Sequence, residues 1–316
     1  MGKKISIIGA GNVGATVAYT LTMNGTASEI VLIDINEEKA KGEAMDIRQG
    51  TPFCPPVDIY AGDFPDIVDS DIVIITSGIP RKEGQTRLDL AQNNVNHIKE
   101  MGPSLVKYAP DAIYVVVSNP VDITTYTLLK ATGLPDNQVI GSGTMLDSAR
   151  LRSSISKSLD INPQNVHAYV FGEHGDSSFV PWSLSTVAGM PLKEYYEAKC
   201  KEDSAYCNIN FDNYEEGVRT SGSKIISRKG ATFYAIALSV LRICDCILRD
   251  TNSVLTVSGI VHDRYGINGD VCLSLPFIVN RNGIVDAISP QILPEEQEKL
   301  DNSYKVIKDM IDSLDI

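Results

Sequence analysis

The stretch "KISIIGAGNVGATVAYTL", residues 4–21, changes character at its centre. Residues 5–8 are a short run of mostly β-branched residues. Gly9, Gly11 and Gly14 follow in GxGxxG spacing, and Val13, Val17, Ala18 and Leu21 then share one face of a helix. A strand, a glycine turn and a helix in that order open a phosphate-binding unit. Gly9 permits the tight turn, Gly11 lets a pyrophosphate approach the backbone, and Gly14 lets helix and strand pack closely. The helix N-terminus offers free N–H groups and a positive dipole end to the phosphates.

A lone GxGxxG is weak, so its surroundings matter. The next apolar run, "IVLIDI", ends with Asp34, twenty residues after Gly14. Asp34 is placed to accept both ribose hydroxyls and would repel a 2′-phosphate, which selects NAD over NADP. The helical "NEEKAKGEAMDIRQG" and the strand-like "DIVIIT", "AIYVVV" and "QVIGSG" continue the alternation. Continuously apolar strands joined by helices imply a parallel sheet covered on both faces. Near residue 142 the rhythm changes to a helix, longer strands, two helices around residues 211–249, two late strands and a charged C-terminal helix from about residue 293. The expected fold is therefore α/β: a Rossmann doubly wound parallel sheet over residues 1–142, followed by a mixed α+β catalytic domain over residues 143–316.

Composition narrows the function. The chain has 316 residues and a net charge of −12, which argues against a nucleic-acid binder. No run approaches the roughly 18 uncharged apolar residues of a membrane helix. The stretch "ATFYAIALSVLRICDCIL" carries Arg242 and Asp245 and reads as a buried helix. A strand begins almost at once after Met1, which leads us to expect no signal peptide and a cytoplasmic protein. The six cysteines show no CxxC pair and no zinc spacing, so they read as small apolar fillers in a reducing compartment, with no metal expected.

Two further stretches carry chemistry. "GEHGD" sets His174 among glycines at the end of the strand-like "VHAYVF". "LDSARLR" puts Asp147 and Arg150 three apart, on one face of a helix. A histidine, a carboxylate to orient it and an arginine to hold an anion suffice for proton-coupled hydride transfer. Between strand and helix, "SGIPRKEGQTRLDL", residues 77–90, adds Arg81 and Arg87 on a loop.

With these pieces in place the chain resembles the L-lactate/malate dehydrogenase family. The motifs "GAGNVG", "LIDI", "GEAMD", "TRLDL", "SNPVDITTY", "GSGTMLDSARLR", "GEHGD" and "KGATFYAIA" carry the resemblance from residue 5 to the C-terminal helix. It implies an NAD-dependent L-2-hydroxy acid dehydrogenase. By that resemblance His174 exchanges the proton, Asp147 orients it, and Arg150 clamps the substrate carboxylate. Arg87 polarises the carbonyl, Asn119 contacts substrate and nicotinamide, and Thr232 lines the pocket. It also implies a homotetramer.

Substrate choice divides the resemblance. The position of Arg81 is typically glutamine in lactate enzymes and arginine in malate enzymes, where it pairs with a second carboxylate. "NPVDITTY", "GSGT", "GEHGD", Thr232 and Ile236 are instead lactate-like. A guanidinium shut into a dry pocket against a methyl group would keep an uncompensated charge, at roughly 3–5 kcal/mol. Shape terms are smaller, about 1–3 kcal/mol. Charge therefore favours malate/oxaloacetate as the leading expectation, with lactate/pyruvate as the alternative.

Arg152 lies two residues past Arg150, about 200° around the helix, so the two do not enter one active site. Bacterial lactate dehydrogenases of the family often bind fructose 1,6-bisphosphate at a subunit interface through an arginine and a histidine. The positions of Arg152 and His167 match that pair. The expectation is an allosteric anion site, and the alternative is a surface salt bridge.

Overall fold

A computed structural model describes residues 2–79, 86–207, 209–263, 265–267 and 269–316, and the backbone alone of Arg87 and Ala205. The opening stretch forms β1 (Lys4–Ile8) and α1 (Asn12–Asn24), and the alternation then runs through β2 (Glu29–Ile33), α2 (Glu37–Gln49), β3 (Asp58–Ala61), β4 (Ile72–Ile75), α3 (Arg87–Tyr108), β5 (Ile113–Val116), α4 (Val121–Thr132) and β6 (Val139–Gly141). All six strands pair parallel, in the order β6-β5-β4-β1-β2-β3. This is the doubly wound Rossmann order, as expected. Successive strand residues feed opposite faces. Ile5 and Ile7 join one apolar layer with Val17 and Leu21 of α1, while Ile8 joins the other with Ile98 and Leu105 of α3. Ser6 breaks the apolar run and is satisfied in the interior by Ser70, hydroxyl to hydroxyl at 2.7 Å.

The second half begins with α5 (Met145–Leu159), a short β7 (Val166–His167), β8 (Thr186–Val187), β9 (Met190–Pro191), α6 (Leu192–Glu202), α7 (Phe211–Lys229) and α8 (Tyr234–Arg249). It closes with β10 (Ser253–Val261), β11 (Val271–Asn280), β12 (Gly283–Ala287) and α9 (Pro294–Asp312). This half is the expected mixed α+β arrangement, with a difference in where its strands go. β10, β11 and β12 form an antiparallel ladder that extends the large sheet to nine strands, β10 meeting β6 at Ser258 and Gly141. A Cβ on Gly141 would stand 2.4 Å from the Thr125 hydroxyl and 2.8 Å from the Ser258 Cβ, so glycine makes the join possible. The strand expected over "VHAYVF" stops after two residues, and Phe171 is tied on only by an isolated bridge to Phe179.

A third apolar cluster joins Leu151 and Ile155 of α5, Tyr196 of α6 and Val218 of α7, with Trp182 and Phe211 packed against it, their ring centroids 4.7 Å apart. Here the reading of the cysteines needs correction. Cys244, Cys246 and Cys272 are buried fillers, but Cys200 and Cys207 form a disulfide between the end of α6 and the approach to α7. The two lie seven positions apart, a spacing that resembles no CxxC motif and gives no signal in sequence. Among the described residues no helix is long and apolar enough to cross a membrane.

Candidate active site

The C-terminal ends of the parallel strands lie along one edge of the sheet, and β1 and β4 are the neighbours at which the winding reverses. That is where doubly wound sheets bind ligands. Gly9 follows β1 with φ +106°, and a Cβ there would stand 2.6 Å from the backbone nitrogen of Ser77. A Cβ on Gly14 would stand 1.8 Å from the Gly9 carbonyl oxygen. Gly11, by contrast, faces open space, with nothing within 4 Å of the same added atom. The cradle is thus closed on the protein side and open toward a ligand at the N-terminus of α1. Asp34 stands at the end of β2 and braces the turn: its Oδ2 accepts the Ala10 N–H at 2.7 Å and its Oδ1 accepts the Asn36 N–H at 2.9 Å. Each oxygen keeps a lone pair for a ribose hydroxyl. These residues fit a dinucleotide without a 2′-phosphate.

Across the same edge, α5 presents Asp147, and the loop of residues 172–176 presents His174. The imidazole Nδ1 lies 2.5 Å from Asp147 Oδ2, and Arg150 Nη1 lies 3.0 Å from Asp147 Oδ1. The spacing of three on α5 therefore puts the acid between the histidine and the arginine. The loop is fixed independently of the ring. Gly172 exchanges two backbone hydrogen bonds with Ser274 of β11, and the Glu173 N–H donates to the Ser303 hydroxyl of α9.

Electrostatics follows from this geometry. Burial alone would lower the His174 pKa, but attraction to and hydrogen bonding with Asp147 outweigh it, Asp122 adds to them and Arg150 opposes; the net result is a rise to about 9. Burial would raise the Asp147 carboxyl, yet His174 and Arg150 hold it below the usual carboxylate range. At neutral pH the pair is an imidazolium–carboxylate, with Nε2 left to give a proton to an oxyanion. The Asp147 side chain is 9% exposed while that of His174 is 25% exposed, so the acid is hidden and the proton donor reachable.

The remaining expected residues are placed as follows. Asn119 follows β5, precedes Pro120 across a cis peptide bond, and its carbonyl accepts from the Asn94 side chain at 2.9 Å. Thr232 is half-buried in the link between α7 and α8. Arg87 is the first residue of α3, but its side chain and all of Arg81 lie outside the described residues. Arg152 turns away from the Asp147 face of α5: its Nη2 donates to the Pro163 carbonyl at 3.1 Å, and its buried Nε meets no partner among the described residues. His167 is exposed on β7. The sequence reading missed Asp122, whose Oδ2 accepts the backbone N–H of His174 at 2.8 Å. "NPVD" was read only as part of a motif, although a lone carboxylate followed by seven uncharged residues, 123–129, is itself a signal.

The profile of the lactate/malate dehydrogenase NAD-binding domain matches residues 3–141, and that of the family's alpha/beta C-terminal domain matches residues 144–315. The chain belongs to the lactate/malate dehydrogenase family. It is an NAD-dependent oxidoreductase acting on a 2-hydroxy acid. The dehydrogenase is 48% identical to the L-lactate dehydrogenase of Thermoanaerobacterium saccharolyticum over 314 residues, covering 99% of each chain. It is also 48% identical to that of Acetivibrio thermocellus over 316 residues, covering 99% of this chain and 98% of the other. Among solved structures it resembles a lactate dehydrogenase from a Medee basin deep-sea metagenome library, with TM-score 0.93, 38% identity and 99% of both chains covered. The minor L-lactate dehydrogenase of Enterococcus mundtii gives TM-score 0.92 and 37% identity over 98% of both chains.

Proposed function

We propose that this dehydrogenase interconverts pyruvate and L-lactate. The observation that carries the reading is the 48% identity, along 99% of the chain, to enzymes named L-lactate dehydrogenase. This moves the assignment away from malate, which the sequence-based charge argument favoured. NADH, when bound in the cradle of Gly9, Gly11, Gly14 and Asp34, supplies the hydride. His174 holds the proton for the substrate oxygen and Asp147 keeps the ring oriented and charged. Arg150 binds the carboxylate common to both candidate substrates, with Nη1 already set by Asp147. Asn119 and Thr232 border the substrate, and Arg87 polarises its carbonyl. Asn119 also stands beside the cofactor.

A second reading, malate/oxaloacetate, rests on Arg81. Closed against the methyl group of pyruvate, its guanidinium would lack a partner, whereas oxaloacetate supplies a carboxylate. Following NADH oxidation with pyruvate and with oxaloacetate, in wild type and Arg81→Gln, separates the two. A higher kcat/KM for pyruvate supports the lactate reading. An oxaloacetate preference of tenfold or more that collapses in Arg81→Gln replaces it with the malate reading.

The same proposal places the NAD-binding domain at residues 1–142 and the catalytic domain at residues 143–316, in a cytoplasmic homotetramer. Arg152 and His167 would form its fructose 1,6-bisphosphate site. The buried Arg152 Nε without a described partner supports an anion there. Unchanged kinetics and assembly at millimolar fructose 1,6-bisphosphate would remove that assignment.

A further inference from the structure

The backbone of His174 meets a second carboxylate that the roles above leave unused. Asp122, the second residue of α4, is 2% exposed. Its Oδ2 accepts the backbone N–H of His174 at 2.8 Å, and its Oδ1 accepts the Ser258 hydroxyl of β10 at 2.6 Å. Neither bond comes from a lysine or an arginine. Burying a carboxylate on neutral donors alone is costly. A purely structural tie at this point would be better made by asparagine, which has the same shape, accepts the same N–H and donates to the same hydroxyl. The charge therefore calls for a use of its own, and the nearest cation able to use it is the His174 ring.

We propose that Asp122 is a positioning residue for proton transfer: one oxygen fixes the backbone of His174, and its charge acts with Asp147 to favour the imidazolium. The inference rests on His174 being the proton donor. Among the described residues the groups that face Asp122 are His174 and Glu173 from the loop, Ser258 from β10 and the buried Cys272 thiol from β11, while Asp147 of α5 bonds the imidazole Nδ1. Burial raises the Asp122 carboxyl to about 6, against the lowering effect of Ser258 and His174. Above that pH the histidine is bonded to two carboxylates, one at its backbone N–H and one at Nδ1, and below it only Asp147 is charged.

The sign of the effect follows. Removing the Asp122 charge destabilises the imidazolium, so reduction of the 2-oxo acid, which needs it, fails at lower pH. Oxidation, which needs the neutral ring, sets in at lower pH. The test is the pH profile of kcat/KM for NADH-dependent reduction of pyruvate or oxaloacetate, whichever wild type turns over faster, in wild type, Asp122→Asn, Ser258→Ala and His174→Gln. In Asp122→Asn the alkaline limb moves down by at least half a pH unit, and in Ser258→Ala, which keeps the charge, it stays in place. An Asp122→Asn limb coincident with wild type overturns the proposal, whatever the fall in rate. If His174→Gln keeps the wild-type limb, the reading of His174 fails instead. A second readout, taken on wild type, does not need Asp122→Asn to fold. The imidazole resonance of His174, assigned by its loss in His174→Gln, should show a small second inflection as Asp122 titrates, besides its main titration, and the absence of any second inflection between pH 4 and 8 overturns the proposal.

Discussion

His174 Nδ1 and Asp147 Oδ2 stand 2.5 Å apart, with Arg150 on the other oxygen of the same carboxylate. One buried acid thus serves two cations, and its charge decides how long the histidine keeps its proton. With His174 raised to about 9, some nine-tenths of it is protonated at pH 8. Asp147→Asn would return the ring to about 6.5 or below, leaving roughly 3% protonated at that pH. We predict a fall in reduction rate of at least about thirtyfold at pH 8, and a much smaller fall at pH 6. Steady-state kinetics at the two pH values checks this, and an equal loss at both would show that only orientation was affected.

The same pair makes stability depend on pH in a defined window. A histidine pKa raised above its unfolded value stabilises the fold fully below about pH 6.5, and that contribution is lost as pH rises through about 9. The shift corresponds to roughly 3 kcal/mol. Asp147, held below its ordinary value, contributes above about pH 4 and loses its contribution as pH falls further. Urea unfolding of wild type and His174→Gln should therefore differ most near pH 6 and converge by roughly 3 kcal/mol toward pH 9.5 and above. A stability difference that stays constant across that range would contradict the assigned coupling.

Legibility in the sequence tracked the range of the interactions. The Rossmann half was readable because Gly9, Gly11, Gly14 and Asp34 act through turns and strand ends within one βαβ unit. Asp147 and Arg150 were readable because a spacing of three fixes a helix face. What depends on chain segments brought together from afar was not readable. Asp122 reaches His174 across 52 positions and Ser258 across 136. No local pattern says that β10 will extend the first domain's sheet past β6, or that α6 will end in a disulfide. β7, β8 and β9, two residues each, are too short for any periodicity to show.

The disulfide gives a prediction of its own. Cys200 and Cys207 close a short loop ahead of α7, next to the cluster of Tyr196, Phe211 and Trp182. Closing a loop of about eight residues restricts the unfolded chain by about 2 kcal/mol. The double variant Cys200→Ser, Cys207→Ser should lose about that much stability while keeping its kcat, since the loop lies in the cluster away from His174. Trp182, the only tryptophan in the chain, reports the unfolding by fluorescence. Equal stability of the variant and of untreated wild type would mean that the two thiols are not joined in the protein as purified.

Two glycines three positions apart, Gly11 and Gly14, should separate folding from cofactor binding. In Gly14→Ala the new methyl would meet the Gly9 carbonyl at 1.8 Å, backbone against backbone, and neither side is free to give way. The turn and the start of α1 must shift, at a cost of about 2–3 kcal/mol, in the range of overpacked cores. In Gly11→Ala the methyl meets nothing in the protein, and the backbone there, with φ −73° and ψ −173°, suits alanine as well as glycine. That methyl instead occupies the open side of the cradle, where the pyrophosphate must lie against the N-terminus of α1. Thermal melts without cofactor should place Gly11→Ala within a degree or two of wild type and Gly14→Ala several degrees below it. Fluorescence titration with NADH should show at least a tenfold weaker Kd for Gly11→Ala. Wild-type affinity in Gly11→Ala would mean that the dinucleotide does not cross this glycine, and the assignment of the open face would fall with it.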